Sequence, residues 1–160
     1  MKFILLIAFL LGFLLLGCTD PDSHKDDLKI DQAFVTIENI QITTQAFWGS
    51  RILASTEYEQ IRMEISDSVY IDILNLKYTE GVTTWQKGET SPEGILFSLY
   101  ERFYGGSMYM VQDGLLNIQW RTDSAISGSF DVMVYNMASS CYDCPEYERY
   151  LEGEFMVAID

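Results

Sequence analysis

The chain has 160 residues, of which 48% are hydrophobic and 21% are charged. This length allows one modest domain. Acidic residues outnumber basic ones by 24 to 10, which gives a formal net charge of −14 at pH 7. Nucleic acid and anionic lipid surfaces would repel such a chain, so no nucleic-acid partner is expected.

Residues 1–17 form an apolar leader. Lys2 precedes an uninterrupted apolar run over residues 3–17, which is shorter than the ~20 residues needed to span a bilayer. A basic start followed by a short apolar run is typical of a secretory signal. We therefore predict a signal peptide over residues 1–17. Its removal takes away one lysine and no acidic residue, leaving 9 basic and 24 acidic residues and a net charge of −15.

The leader ends in Leu15-Leu16-Gly17-Cys18, which resembles the lipobox of bacterial lipoproteins. The resemblance implies cleavage before Cys18 and acylation of that residue, so that the N-terminus is attached to a membrane. Acyl chains give stable attachment because each buried CH₂ contributes about 0.8 kcal/mol. The alternative is an uncleaved anchor in which Cys18 is an incidental thiol.

Residues 18–29 are predicted to form a disordered tether. They combine Pro21 and clustered acidic residues with a single large apolar residue, Leu28, and such a composition cannot support a core. Lys25-Asp26-Asp27 resembles the signal that sends some Bacteroidota lipoproteins to the outer face of the outer membrane. A plain solvated linker is the alternative. The expected location is the cell envelope, with the protein anchored to the outer membrane and either periplasmic or surface-exposed.

From residue 30 onward, apolar residues alternate with polar ones in the manner of half-buried strands. Eight segments show this alternation, and they lie at 34–43, 51–55, 60–66, 69–78, 95–103, 115–121, 129–134 and 151–159. A short helix over 94–104 is the alternative for the fifth segment. In the sixth, Leu116, Ile118 and Trp120 share one face, so all three are expected to be buried.

Asp113-Gly114 is the strongest turn signal between strands. A type I′ turn needs positive φ, which glycine adopts without a steric cost. We therefore predict that residues 107–112 pair antiparallel with 115–121. About 8–10 short strands with no helix-length crossover predict an all-β fold over residues 30–160. This fold would be an antiparallel β-sandwich or a flattened, calycin-like barrel.

Cys141 and Cys144 lie in the loop between the last two predicted strands. Outside the cytoplasm, two thiols at this spacing are expected to form a small structural disulfide. A thioredoxin-like redox pair is the alternative. It is disfavoured because Asp143, Glu146 and Glu148 would raise the pKa of a nearby thiol.

The sequence lacks the residues of common catalytic sites. His24 is the only histidine, and it lies in the predicted tether. This excludes Ser-His-Asp and Cys-His catalysis and most transition-metal sites, and no phosphate-binding glycine motif is present. Neighbouring carboxylates are expected by chance in so acidic a chain, so they do not indicate a glycosidase. We expect a non-enzymatic protein without a metal or a cofactor.

Three tyrosines, Tyr142, Tyr147 and Tyr150, cluster around the cysteine loop. A flat ring with a polar tip suits stacking on a sugar or anchoring a protein interface. The alternative is that the rings cap the core at strand ends. We take the three tyrosines as a candidate binding loop.

A Gly-x-Phe pattern recurs in two of the last strands, at Ser127-Gly128-Ser129-Phe130 and Glu152-Gly153-Glu154-Phe155. With the lipobox, these motifs resemble small β-rich lipoproteins of unknown function that are common in Bacteroidota. The similarity covers about residues 100–160 and the leader. It implies a β-rich fold and carries no catalytic residue.

Three functions are consistent with these observations. The leading hypothesis is a lipid-anchored, non-enzymatic β-domain that binds a surface glycan or a protein partner. The second is a lipocalin-like carrier that encloses a small apolar ligand. The third is an acidic immunity or inhibitor protein that complements a basic toxin.

Overall fold

The computed structural model of the chain describes residues 28–89, 92, 94–101, 107–138 and 147–159. The predicted leader, Cys18, and the segment with Cys141, Tyr142 and Cys144 lie outside these residues. The acylation and the disulfide therefore stay predictions. Within the described ranges, no helix has the length and apolar character to cross a bilayer.

The described residues contain nine β-strands and no α-helix. They are β1 (Gln32–Ile37), β2 (Ile40–Leu53), β3 (Thr56–Ser66), β4 (Val69–Asn75), β5 (Gly81–Trp85), β6 (Ile95–Glu101), β7 (Ser107–Arg121), β8 (Ala125–Asn136) and β9 (Glu148–Ala158).

Eight of the strands close into an antiparallel barrel. Going round the barrel, the order is β1-β2-β3-β4-β6-β7-β8-β9, and β9 pairs back with β1. β5 is the extra strand, and it pairs with the second half of β7, next to the place where β6 pairs with the first half. The predicted all-β antiparallel fold is confirmed, and of its two predicted forms the barrel is the one observed. Closure removes most of the unpaired strand edges that an open sheet would expose.

The predicted hairpin at Asp113-Gly114 is wrong, because β7 runs straight through both residues. The pairing of β7 with β8 shifts between Val111 and Asp113, which marks a β-bulge. Gly114 has a φ of 118°, and a Cβ there would lie 2.6 Å from Cα of Val132 on β8. Glycine therefore serves the bulge and the close approach of β8.

Two type I′ hairpin turns form where the sequence gives little sign of them. Glu38 and Asn39 have φ values of 50° and 69°, and Ala54 and Ser55 have values of 47° and 69°. Such turns favour Asn and Gly, and Asn39 is the single favoured residue among the four. The predicted strand at 34–43 therefore contains the β1–β2 turn, and the one at 51–55 ends in the β2–β3 turn. The helix proposed as an alternative over 94–104 is wrong for 95–101, which form β6.

A second bulge in β7 overturns the predicted burial of Trp120. The pairing with β8 shifts between Ile118 and Trp120, so that Trp120 lies opposite Ser127 and Arg121 lies opposite Ile126. Ile126 is fully buried in the core, so Arg121 takes the inward position instead. Trp120 is left half-buried on the other face.

The Gly-x-Phe pattern is a packing motif of the barrel core. In the pairing of β8 with β9, Gly128 lies opposite Phe155, and Phe130 lies opposite Gly153. A Cβ at Gly128 would lie 2.6 Å from the Phe155 ring, and one at Gly153 would lie 2.5 Å from the Phe130 ring. Each glycine leaves the space that the opposite phenylalanine fills. The Phe130 ring in turn packs against Phe97 at 5.2 Å.

Charged and aromatic side chains of β2, β3, β7 and the segment after β4 meet in what we call the Glu59–Arg121 cluster, made of Glu59, Arg121, Tyr78 and Trp48. The guanidinium of Arg121 donates two hydrogen bonds to the Glu59 carboxylate, at 2.6 and 2.9 Å. It also donates to the Tyr78 carbonyl at 3.0 Å and lies over the Trp48 ring. The Tyr78 side chain is buried, and burial raises the pKa of its hydroxyl well above the usual value.

Candidate functional site

A pocket of about 250 Å³ lies on the outer surface of the barrel. Its walls come from β7, β8, β9 and the connection that follows β5. The lining residues are Lys87, Gln112, Asp113, Gly114, Asp131, Met133, Glu148 and Tyr150. We call this the β7–β9 pocket.

The first bulge of β7 brings Gln112 into this pocket. Gln112 lies at the register shift between Val111 and Asp113, and only 8% of its surface is exposed. In the part of the chain that the structure describes, neither Nε2 nor Oε1 of its buried amide has a hydrogen-bond partner. A buried amide without a partner costs about 1–3 kcal/mol. A cost of this kind in a native fold calls for an explanation, and a ligand that pairs with the amide would supply one.

The charge around the pocket is mostly negative. Three carboxylates line it, from Asp113, Asp131 and Glu148. The cationic side chain among the described lining residues is Lys87, whose Nζ lies 3.3 Å from Oε1 of Glu148. Within the described residues, Asp113 and Asp131 form no ion pair. Asp131 also lies directly opposite Glu152 on β9, and like charges in that arrangement destabilise a sheet.

Tyr150 is a predicted binding residue that lines the pocket. Its hydroxyl donates a hydrogen bond to Asp131, and this bond is the largest of the effects that raise the pKa of Tyr150. Together with burial and the negative charges of Asp131 and Glu152, it raises that pKa to about 12. The hydroxyl is therefore protonated at neutral pH, as a hydrogen-bond donor must be.

The other predicted site residues have different positions. Tyr147 is 37% exposed just before β9 and is not part of the pocket lining. Tyr142, Cys141 and Cys144 lie outside the described residues. The structure thus brings Tyr150, but not Tyr147, to the β7–β9 pocket.

Sequence reasoning missed most of the pocket. The sequence predicts a strand end at Gln112 and a turn at Asp113, whereas both residues lie in the middle of β7. Asp131 stands out only once its register opposite Glu152 is known. The one usable sequence signal was the tyrosine cluster that contains Tyr150.

A second polar cluster, centred on Asp72, lies on the barrel wall but has no unmet hydrogen-bonding capacity. Asp72 is fully buried. Its carboxylate accepts two hydrogen bonds from Arg62 at 2.8 and 2.9 Å, one from Gln60 at 2.8 Å and one from Arg51 at 3.1 Å. A buried charge with this many donors is stabilised in place. The Asp72 cluster therefore acts as a structural tie between β2, β3 and β4.

No group of three or more His, Cys, Asp or Glu side chains in the described ranges is arranged to hold a metal ion. The carboxylates of the β7–β9 pocket surround a space without meeting at one point. The arrangement suits binding of an organic group through hydrogen bonds and charge.

Comparisons with known proteins give no relative for this chain: no family model, no curated protein and no solved structure matches it.

Proposed function

We propose that the protein is a non-enzymatic binding domain, held at the outer membrane through an acylated Cys18, that captures an external glycan or protein partner in the β7–β9 pocket. The buried, unpartnered amide of Gln112 is the observation that carries this proposal. A ligand that pairs with the amide recovers the free energy lost by leaving it unpaired.

The position of the pocket supports a role in capture. It opens on the outside of the barrel wall, so a ligand attached to a large partner reaches it without entering the barrel. Around it stand hydrogen-bonding groups of several kinds: an amide, carboxylates and the hydroxyl of Tyr150. A site of this kind binds a polar ligand group and fixes its orientation.

The proposal predicts that Gln112→Leu stabilises the fold while it removes binding. Leucine fills the same space without an unpaired polar group, so the free energy of unfolding should rise by about 1 kcal/mol. Capture on an array of bacterial glycans and envelope proteins should be lost. Gln41→Leu, at an exposed position on β2, is the control and should change neither quantity. A less stable Gln112→Leu protein that still captures its partners would contradict the proposal.

A calycin-like carrier of a small apolar ligand is the second candidate, and closure of the eight-stranded barrel is the observation that favours it. Barrels of eight strands have room either for a filled core or for one small ligand. The fully buried rings of Phe97 and Phe155 take up part of that interior, which makes this the weaker candidate. Mass spectrometry of the purified protein would support the carrier if it detected one bound lipid per chain.

A further inference from the structure

We infer that the group received by the β7–β9 pocket is cationic, namely a lysine or arginine side chain of a basic protein partner. This inference rests on the proposed binding function of the pocket and adds the chemical class of its ligand.

The first argument is the balance of charge. Among the described residues, the lining holds three carboxylates and one ammonium, and that ammonium, on Lys87, already pairs with Glu148. Asp113 and Asp131 remain exposed, and among the described residues neither of them forms an ion pair. A positive group in the pocket supplies a counter-charge for these carboxylates.

The second argument is the like-charge pair formed by Asp131 and Glu152. The two carboxylates stand directly opposite each other on β8 and β9, and such a pair weakens the sheet. The raised pKa of the neighbouring Tyr150 reports the same negative field. A bound cation relieves this repulsion, whereas a neutral sugar does not.

The third argument is the shape and lining of the pocket. Its volume of about 250 Å³ is below the ~300–1,000 Å³ of pockets for drug-sized ligands, so it suits one side chain. Met133 and the ring of Tyr150 can contact the aliphatic stem of a lysine or arginine. The Oε1 atom of Gln112 is an unused acceptor for its N–H groups.

The charge of the whole chain acts in the same direction. The chain beyond residue 17 carries a net charge of −15, which steers basic partners toward it and speeds their association. Of the partner classes considered, a basic protein fits both the pocket and the field around it.

The inference can be tested by NMR on the whole chain purified in mild detergent. The side-chain amide signals of Gln112, assigned by their loss in Gln112→Leu, report on the pocket directly. The probes are tetralysine, tetra-acetyl-lysine as its uncharged match, and chitotetraose as a glycan. We expect tetralysine to shift the Gln112 signals at low salt, and 300 mM NaCl to reverse the shift because salt screens exposed charges.

Two variants that each remove one negative charge distinguish binding in the pocket from attraction by the net charge of the chain. Asp131→Asn should weaken tetralysine binding about tenfold, in line with the loss of a partly desolvated ion pair. Asp67→Asn, in the β3–β4 turn, removes the same charge outside the pocket lining and should weaken tetralysine binding less than about twofold. Equal effects of the two variants would overturn the inference, as would an absence of any tetralysine shift. A shift with chitotetraose but not with tetralysine would also overturn it and leave the proposed binding function standing.

Discussion

At position 114, the backbone has a φ of 118° while β8 passes close to the Cα. Gly114→Ala should therefore destabilise the fold for two reasons: an alanine would have to adopt a positive φ, and its Cβ would lie 2.6 Å from Cα of Val132. We expect it to lower the free energy of unfolding by about 3 kcal/mol. Urea unfolding followed by tryptophan fluorescence measures this change.

Gly88→Ala is the matched control for this prediction. Gly88 also has a positive φ, of 86°, but a Cβ there has nothing within 4 Å. Its substitution should cost only the backbone term of about 1 kcal/mol. Equal losses for the two variants would mean that the approach of β8 plays no part in the need for Gly114.

Tyr150 gives a prediction at alkaline pH. Its folded pKa of about 12 lies above the ordinary value of 10.0, so the folded state holds the proton more tightly than the unfolded state. The resulting stabilisation is complete below pH 10 and is lost as the pH rises to about 12. The ultraviolet absorbance difference between the wild type and Tyr150→Phe should therefore titrate near pH 12. Asp131→Asn should move this midpoint down toward 10, and an unmoved midpoint would contradict the hydrogen bond.

At the level of elements, β8 and β9 pack through two Gly–Phe pairs, in which a glycine on each strand lies opposite a phenylalanine on the other. Gly153→Ala places a Cβ 2.5 Å from the Phe130 ring and 2.6 Å from the Phe34 carbonyl oxygen, and we expect it to cost about 1–3 kcal/mol. Phe130→Leu removes the end of the ring, so the double variant should be more stable than the sum of the single changes predicts, by about 1 kcal/mol. The double variant should still be less stable than Phe130→Leu alone, because the alanine Cβ still lies close to the Phe34 carbonyl oxygen. If the effects of the two single substitutions add exactly in the double variant, residues 153 and 130 do not interact and the proposed Gly–Phe pair is wrong.

The β7 strand shows what period-2 patterns can and cannot predict. The alternation of apolar and polar residues predicts burial only while the strand pairing is regular. It correctly marks Leu116 and Ile118 as buried. Each bulge inserts one extra residue, which the sequence pattern does not reveal. After the bulge, the residues that face inward and outward are exchanged, so Arg121 replaces Trp120 on the inner face. Asp113-Gly114 predicts a turn but forms part of a bulged strand, since a positive φ serves a bulge as well as a turn.

The candidate site depends on long-range register, which a single sequence does not contain. The pocket requires the bulge at Gln112, the pairing of Asp131 with Glu152 and the return of Lys87 from the β5–β6 connection. None of these has a local signature. Tyr150 could be proposed from the sequence because aromatic clusters near a loop are visible without knowing the fold.

For the whole molecule, the Glu59–Arg121 cluster joins β3 to β7 through residues that are 62 positions apart in the sequence. The hydrogen bonds from Arg121 lower the pKa of Glu59 below its usual 4.5, and one from the Tyr78 amide adds to the effect. Because the folded pKa is the lower one, the stabilisation is present above pH 4.5 and is lost as the pH falls through the folded pKa.

We therefore expect Glu59→Gln to lower the free energy of unfolding by about 2 kcal/mol at pH 7, the usual contribution of hydrogen bonds to a charged group. The wild type loses this contribution as the pH falls below 4.5 and the Glu59 carboxylate is protonated, so the difference between the two proteins should shrink toward acid pH. Glu57→Gln, at an exposed position two residues earlier on β3, should follow the wild type at both pH values. Urea unfolding at pH 7 and pH 2 tests this directly. A Glu59→Gln deficit that does not shrink between pH 7 and pH 2 would show that the side chain stabilises the fold by packing and not through its charge.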